Sequence, residues 1–535
     1  MSTTNAHIST RRHRSRIVTG WLTITAMLLM TVTSCQRQEY LEGDIELTFS
    51  SDTVAFDTVF TTMGTATKYV KVYNNYDDPL LLRSVTLEQG ANSRFRLNVD
   101  GDTSLVARNV EIAPHDSMFI FVHANINPNA STEPFLVTDH IVFDRGSGSQ
   151  NLLLTAYGRN AVYHIPDHVA YDAQGNAYPY SVIDCQQWNH QLPHVVYGYA
   201  VVDEGCTLSL TAGDEIYFGD DGHLWVYNGG TLHAQGTFET PVLFTSVRHD
   251  SYYDYLAGQW GYIWLSAGSK DNTMDWVVIE NSFVGIVADT NVGNNPTLQI
   301  TNSRIENCSY AGIIGQGATI DGDNLLVDNC GYVTLALQLG GRYTFSNSTF
   351  ANYWGYRGNY RSTPSVVLNN YYTARDSSLV LRDLQQALFR NCIIYGSYPA
   401  SNTKGEILFD LNEAATANIR FNHCLILSKK AQDYAQLVST LTDSVPRFVD
   451  PQNQDYRLLD NSCALGAGDP SFVSIHHDLL NQPRPNPPAM GCYEYQDTAS
   501  MAKRPTIQQK SNDGRRTING VRRPLLDQSF SSKRR

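Results

Sequence analysis

The sequence predicts an all-β protein whose main body is a parallel β-helix, a solenoid of stacked coils. Three observations predict it. Four segments share one pattern, a short β-branched or aromatic alternation that ends in Asn followed by Ser or Cys. They are Trp276-Val-Val-Ile-Glu-Asn281-Ser282, Ile300 to Asn307-Cys308, Asn324-Leu-Leu-Val-Asp-Asn329-Cys330 and Tyr343 to Asn347-Ser348. Their Asn residues step by 26, 22 and 18 positions, and the next step, to Asn391-Cys392, is 44, read as two units of 22. His423-Cys424 closes one more unit. None of these segments has a helical period, and a strand-like repeat of this length marks a solenoid.

The physics of such a repeat is specific. One coil of about 22 residues cannot bury its own apolar face, so it stacks on its neighbours. Coils about 4.8 Å apart set like residues above one another. Asn at a coil corner can adopt the left-handed conformation and bond the Asn above it. A small Ser or Cys beside it suits a crowded inward position. The competing reading is a β-sandwich with Asn in ordinary turns; loop insertions between coils explain uneven spacing under the solenoid reading.

A chain of 535 residues has room for two or three domains, and its 42% hydrophobic content supports a core. The net charge of −13 excludes nucleic acid as a partner for the body of the protein. Residues 1–35 read as a targeting segment. Arg11, Arg12, Arg14 and Arg16 form a basic start, and Ile17 to Val32 form a short apolar stretch. It ends Val32-Thr33-Ser34-Cys35, which resembles the lipobox of bacterial lipoproteins. That resemblance implies that Cys35 becomes the first mature residue, carries lipid and anchors the protein in the cell outer membrane. An ordinary signal peptide or a membrane anchor is the alternative, but the apolar stretch is short for spanning. Several acyl chains anchor firmly where one is marginal. Residues 36–44 form a polar tether. Gln36-Arg-Gln-Glu39 has no strong acidic run, so surface and periplasmic display both stay open.

Residues 45–160 read as a β-sandwich. Ile45 to Phe49, Lys68 to Tyr73, Phe95 to Val99, Met118 to Val122 and His140 to Phe143 alternate or run apolar. Asn74-Asn75, Asp77-Asp78-Pro79, Asp100-Gly101, Asn127-Pro128 and Gly146 to Gly148 separate them as turns. The stretch Phe56 to Gly64 through Val70 to Asn74 resembles the immunoglobulin-like modules of Bacteroidetes surface lipoproteins, which implies a spacer or assembly domain. His115, His123 and His140 are scattered across it and read as surface residues.

Residues 161–199 read as a linker leading into the first coils, 200–430 as the solenoid and 431–498 as a C-terminal cap over its open end. The run Gly230 to Thr237, then Pro241 to Ser246 and Gln259-Trp260-Gly261, resembles the opening coils of bacterial right-handed β-helix proteins. Phe448 to Pro451, Asp455 to Leu458, Ala467 to Asp469 and Met490 to Tyr495 resemble their terminal segment. This likeness to the pectate-lyase-like fold superfamily covers about 200–495 and implies a right-handed parallel β-helix preceded by an immunoglobulin-like sandwich. It implies no one activity. Residues 429–441 suggest a short helix. Residues 499–535 carry ten Lys or Arg against two Asp and read as a disordered basic tail, suited to anionic lipid or to no partner at all.

Without Cys35 eight cysteines remain. Cys308, Cys330, Cys392 and Cys424 fall at equivalent coil positions and are expected to stack inward as small apolar residues. Cys185 with Cys206, and Cys463 with Cys492, are candidate disulfides in an oxidising compartment. No Cys or His spacing suggests zinc.

Chains of this architecture often act on acidic polysaccharides, and a lyase needs carboxylates holding Ca²⁺ and an Arg or Lys base. The best local set is Asp321-Gly-Asp323 with Asp328, and Arg304 or Arg342 about one coil away; Asp-Gly-Asp reads rather as an ordinary tight turn, and Asp220-Asp221-Gly222 has the same ambiguity. Paired carboxylates are not seen at equivalent positions of adjacent coils, as a glycosidase needs. Nucleophile elbow and phosphate loop are also missing. Aromatic insertions are the stronger candidates: Tyr353, Trp354, Tyr356 and Tyr360, then Tyr371 and Tyr372, with Tyr252, Tyr253 and Tyr255 before Trp260. Aromatic rings stack on sugar rings, although they also cover the flank of a solenoid. The expected function is therefore a lipid-anchored, non-catalytic envelope protein that binds glycan or a partner protein, with no cofactor. A polysaccharide lyase using Asp321, Asp323 and Arg342 with Ca²⁺, and a purely structural envelope protein, are the alternatives.

Overall fold

The computed structural model describes residues 40–41, 45–248, 253, 256–290, 296–354, 361–374, 376–398, 405–442 and 444–496. The leader with Cys35, most of the tether, Tyr252, Tyr255, Tyr356, Tyr360 and the basic tail lie outside them. The chain divides into two units, one of residues 45–127 with 136–156 and one of 128–135 with 157–496.

The first unit is built from two antiparallel sheets. Four strands run in the order Thr48–Phe49, Lys68–Tyr73, Ser117–Ala124, Phe95–Val99. Five run in the order Thr53–Phe60, Ser149–Arg159, Phe135–Asp144, Leu80–Leu87, Val106–Ile112. Strict alternation decides which face is inside: Val70, Val72, Ile120 and Val122 are wholly buried. Phe49 against Phe143 and Phe56 against Phe95 join the two sheets across this core.

The second unit is a parallel β-helix of three sheets. Sheet I has ten strands, from Val162–His164 to Leu425–Ile426, and sheet II has ten, from His168–Tyr171 to Ile407–Asp410. Sheet III has nine, from Thr207–Thr211 to Gln436–Val438. Within these three sheets every pairing is parallel except that of His168–Tyr171 with Ala177–Val182. The stretch 161–199 is thus solenoid rather than linker, since it holds the opening strands of sheets I and II. The expected helix shrinks to Ala431–Tyr434, and the chain then returns to sheet III as Gln436–Val438.

Register sets like on like. In sheet III the inward column runs Ala234, Met274, Ile300, Gly322, Phe345, Phe389, Phe421. Phe345, Phe389 and Phe421 stack at 5.6 and 4.9 Å between centroids. Gly322 makes room for them, because a Cβ there would stand 2.6 Å from the Phe345 ring. Asp321-Gly322-Asp323 is therefore the C-terminal part of the strand Thr319–Asp323 and not a turn.

The Asn residues form two columns, not one. Asn307 donates to Asn281 at 2.6 Å and Asn329 donates to Asn307 at 2.8 Å, all at the corner from sheet I to sheet II. At the corner from sheet III to sheet I, Asn324 donates to Asn302 (2.8 Å), Asn347 to Asp323 (2.9 Å) and Asn391 to Asn347 (3.0 Å). Each of these Asn residues has φ between 45° and 63°, the left-handed region that Asn tolerates best after Gly. The 18-residue step from Asn329 to Asn347 is a change of corner, so the true coil steps here are 22 to 26. The 44-residue step is one coil, because Thr349–Asn352 pairs directly with Ile393–Gly396. Its extra length is insertions, including the hairpin of Tyr371–Thr373 with Leu379–Leu381.

The ladder cysteines divide in the same way. Cys308 and Cys330 follow the first Asn column, Cys392 and Cys424 the second, and all four are fully buried. Cys185 and Cys206 form a disulfide. Cys463 and Cys492 do not: Cys492 is buried against the Thr349 hydroxyl, while Cys463 is half-buried near the Val445 carbonyl.

Residues 444–496 run along the flank of the solenoid. Phe448, Tyr456, Leu458, Met490 and Tyr493 pack on Leu326, Ala351, Ile393 and Leu425, outward residues of sheet I on successive coils. The segment also bonds the second Asn column: Asn324 donates to the His477 carbonyl, Asn347 to Phe472 and Asn391 to Asp469.

Candidate functional site

Every side chain on a sheet of this solenoid points either into the core or outward, so any site must be assembled from outward columns. Sheet I carries a carboxylate column that sequence reasoning missed. Glu280, Glu306 and Asp328 are register partners on three adjacent coils. The signal was in the repeat itself, where a carboxylate precedes each Asn of the first column. Thr245 donates to Glu280 at 3.0 Å, and Arg304, one column over, faces Glu306 at 3.6 Å. The terminal segment covers this column. Asp328 is wholly buried, and the Tyr456 hydroxyl faces it, raised well above the usual phenol range by burial and then by Asp328. The carboxylates are thus part of a sealed polar seam.

The lyase candidates share the outward face of sheet III, with Arg342 on the strand next to Asp321 and one diagonal step from it, but each has other partners. Asp321 is flanked in register by Gln299 and Thr344, while Arg342 pairs with Thr319 and donates to Gln386. Asp323 accepts from Asn347 with one oxygen and from Ser474 of the terminal segment with the other. Among the described residues, no group of three or more His, Cys, Asp or Glu side chains is placed to hold a metal ion.

The aromatic candidates lie apart. Tyr353 packs into the terminal segment, 6.2 Å from Phe448 and 5.9 Å from Tyr456. Tyr371 is tied by its hydroxyl to Asp410 at 2.8 Å, and Tyr372 is exposed on the inserted hairpin. Trp354 lies over Gly331, where a Cβ would stand 3.4 Å from its Cζ2. That position is the corner from sheet I to sheet II, and it leads to the outer face of sheet II.

That face carries a cluster of aromatic side chains, of which Tyr199 is buried. At its start Tyr199 stacks on His223 at 4.2 Å and Trp225 on Trp264 at 4.9 Å. Tyr262 stands across both stacks, 80° to His223 and 72° to Trp264. Rings stacked along the solenoid axis turn their edges outward, whereas a ring set across them can lie flat on the sheet. The indole N–H of Trp225 is buried without a hydrogen-bond partner. Trp264 donates to Asp289 at 2.8 Å, and burial raises that carboxyl above the usual range despite the donor.

Two rows continue from this block along sheet II. Register aligns Trp264, Val287, Ile314, Ala336, Val367 and Leu408 as an apolar row. Beside it run Asp289, Gln316, Gln338, Asn369 and Asp410. At the adjoining corner Phe283, Tyr310 and Tyr332 stack at 5.3 and 5.0 Å and remain exposed. Ile314 and Ala336, in the middle of the apolar row, are buried, so the apolar width of the face is broken there, while aromatic rings and spaced amide and carboxylate groups line the rest. Its two carboxylates stand several coils apart, so they cannot flank one scissile bond.

No protein-family model matches the chain, and no curated protein does. Among solved structures, the catalytic unit of a thermostable GH87 α-1,3-glucanase from Streptomyces thermodiastaticus strain HF3-3 is similar over 67% of this chain and 74% of its own, at 12% identity and a TM-score of 0.24. A family 123 glycoside hydrolase from Clostridium perfringens is similar over 22% of this chain, at 11% identity and a TM-score of 0.16; the match spans only 30% of the hydrolase. The ASH/PapD-like domain of human CEP192 is similar over 23% of this chain and 95% of its own, at 10% identity and a TM-score of 0.15. The parallel β-helix assignment rests on the strand register itself.

Proposed function

We propose that this protein is a lipid-anchored component of the bacterial cell envelope that binds glycan along the outer face of sheet II without cleaving it. The observation that carries the reading is the aromatic block at Tyr199, His223, Trp225, Tyr262 and Trp264, continued by an apolar and a polar row at one residue per coil. A polymer laid along the axis meets the polar row at each coil, about every 4.8 Å, and the apolar row on either side of the buried Ile314 and Ala336. Sugar rings match such a surface through their apolar C–H faces, while amides and carboxylates take the hydroxyls. Trp354, at the adjoining corner, is assigned to the same surface, and Tyr371 and Tyr372 to its far end. Cys35 is assigned as the lipidated residue.

The test is a titration of the full chain with neutral and acidic polysaccharides, run beside an absorbance assay for unsaturated product in the presence of Ca²⁺. Binding that weakens in Tyr262→Ala and Trp354→Ala, with no product from the wild type, supports the proposal. Product that disappears in Asp321→Asn and Asp323→Asn would replace it with the lyase. Binding of no glycan across a broad panel would leave a structural envelope protein. Release of a Cys35→Ser variant from membranes is expected, and retention at the normal processed mass would refute the anchor.

A further inference from the structure

The outward side of the four-stranded sheet in the first unit is unusual for a solvated surface. Alternation along Lys68–Tyr73 and Ser117–Ala124 sends valine and isoleucine inward, and the opposite face is expected to be polar. Instead it presents Tyr69, Phe119 and Phe121, exposed by 58%, 38% and 40%. Register explains why they meet: Tyr69 pairs with Phe121, and Lys71 with Phe119. The Tyr69 ring lies 5.5 Å from Phe119 and 6.3 Å from Phe121, and the two Phe rings are within 12° of parallel. A contiguous aromatic patch that stays in water marks a binding surface.

Cations frame the patch. Lys71 Nζ sits 4.6 Å above the Phe119 ring. On the other side Arg96 pairs in register with His123, and Asn98 with Phe121. Arg96 is anchored through Nη1 to the carbonyls of Ser93 and Phe95, both at 2.7 Å, which fixes its charge in place. A hollow of about 380 Å³ opens there, lined by Thr67, Arg96, Asn98, Thr103, Phe121 and His123. Besides Leu97, the lining combines one ring, one fixed cation, an imidazole, an amide and two hydroxyls.

We propose that this face is a second binding site, one that takes an acidic sugar chain. A ring of the chain covers Phe121 and Tyr69, its carboxylate or sulfate sits in the hollow against Arg96 and His123, and the next acidic group reaches Lys71. Apolar rings alone would suit a neutral glycan or a protein. The fixed guanidinium beside a ring, with a second cation on the far side of the patch, is what selects an anionic ligand. The site shares no residue with the sheet II face, so either can fail while the other stands.

The experiment uses the full chain and two probes of equal length, an oligogalacturonate and a neutral cello-oligosaccharide. The acidic probe is expected to bind, and Tyr69→Ala or Phe121→Ala to weaken it by about tenfold. Lys71→Gln is expected to weaken it less, and raising the salt from about 0.1 M to about 1 M to reduce binding further. Because the rings are exposed, the thermal midpoint should stay put. In the wild type, the acidic probe should protect His123 from chemical modification, a readout that needs no variant. Unchanged affinity in both ring variants, equal binding of the neutral probe, or no protection of His123 would overturn the proposal. So would self-association of the chain that vanishes in Phe121→Ala without any glycan binding, since a second copy would then own the patch.

Discussion

Arg361 and Glu406 meet in a two-point ion pair, Nη1 to Oε2 and Nη2 to Oε1, both at 2.8 Å, with side chains 2% and 0% exposed. Glu406 also accepts from the Ser365 amide and hydroxyl and from the Tyr398 amide, while Arg361 Nη2 donates to the Asn352 carbonyl. The pair closes two insertions on successive coils, one ending before Val366 and the other before Ile407, which are themselves register partners. The segments that enter sheet II at Val366 and Ile407 are thereby tied to each other.

Glu406→Ala should cost about 3–5 kcal/mol, because it strands a buried guanidinium with no counter-charge. Denaturant unfolding measures the loss. A change below about 1 kcal/mol would mean that the loops reorganise and that the pair is not structural.

The Asn columns give a sharper test, because conformation and hydrogen bonding can be separated. Asn307 has φ of 58° and bridges Asn281 and Asn329. Asn307→Ala loses both bonds and keeps the left-handed strain, for about 1–3 kcal/mol or more. Asn307→Gly relieves the strain and should recover part of that loss. Equal destabilisation by the two variants would show that conformation contributes little.

Thiol chemistry should follow burial. The Cys330 thiol is raised well above its ordinary value by burial and then by Cys308, and Cys392 by burial and then by Cys424. Cys492 is pushed up to about 12, chiefly by burial. In native protein the half-buried Cys463 should therefore be alkylated first, and the ladder cysteines only on unfolding. Cys330→Leu should overpack the core and cost about 1–3 kcal/mol. Rapid labelling of Cys308, Cys330 or Cys392 would contradict the register.

Acid should loosen the first coils. His164 Nε2 and His194 Nδ1 lie 2.8 Å apart, and His194 Nε2 faces the Asn189 carbonyl at 3.0 Å. With both rings neutral, each Nε2 donates and the chain of bonds is satisfied. Burial lowers His164 to about 4 and, as the largest cause, His194 to about 3. Unfolded histidine titrates near 6.5, so the stability present above about pH 6.5 is lost as the pH falls toward about 4. Hydrogen exchange at Val195 and Val196 should quicken between about pH 7 and about pH 5 relative to later coils. A flat profile would refute the buried neutral pair.

The alternation of Val70 and Val72 with Tyr69 and Lys71 could be read directly, because a strand's period of two is a local property. The Asn-Ser and Asn-Cys endings were legible for the same reason, since a left-handed corner with a small inward neighbour is written in two residues. Which corner each Asn turns was not. That depends on the summed lengths of three strands and their turns, so Asn329 and Asn347 looked like neighbours in one column and stand in two.

The length of a unit was equally ambiguous. A step of 44 residues is two coils or one coil with insertions, and only the direct pairing of Thr349 with Ile393 decides. Carboxylates before Asn281, Asn307 and Asn329 were visible as letters, but their fate was set from more than a hundred residues away. The terminal segment buries that column because Tyr456 and Tyr493 find Leu326, Ala351 and Ile393 beside it on sheet I. The face of sheet II stays outside the cover of that segment. By itself the sequence determined that the chain coils and which side chains alternate, since both follow from local backbone geometry. Which outward column became seam and which became surface was decided by tertiary structure, because covering a face depends on where a distant segment finds apolar area to bury.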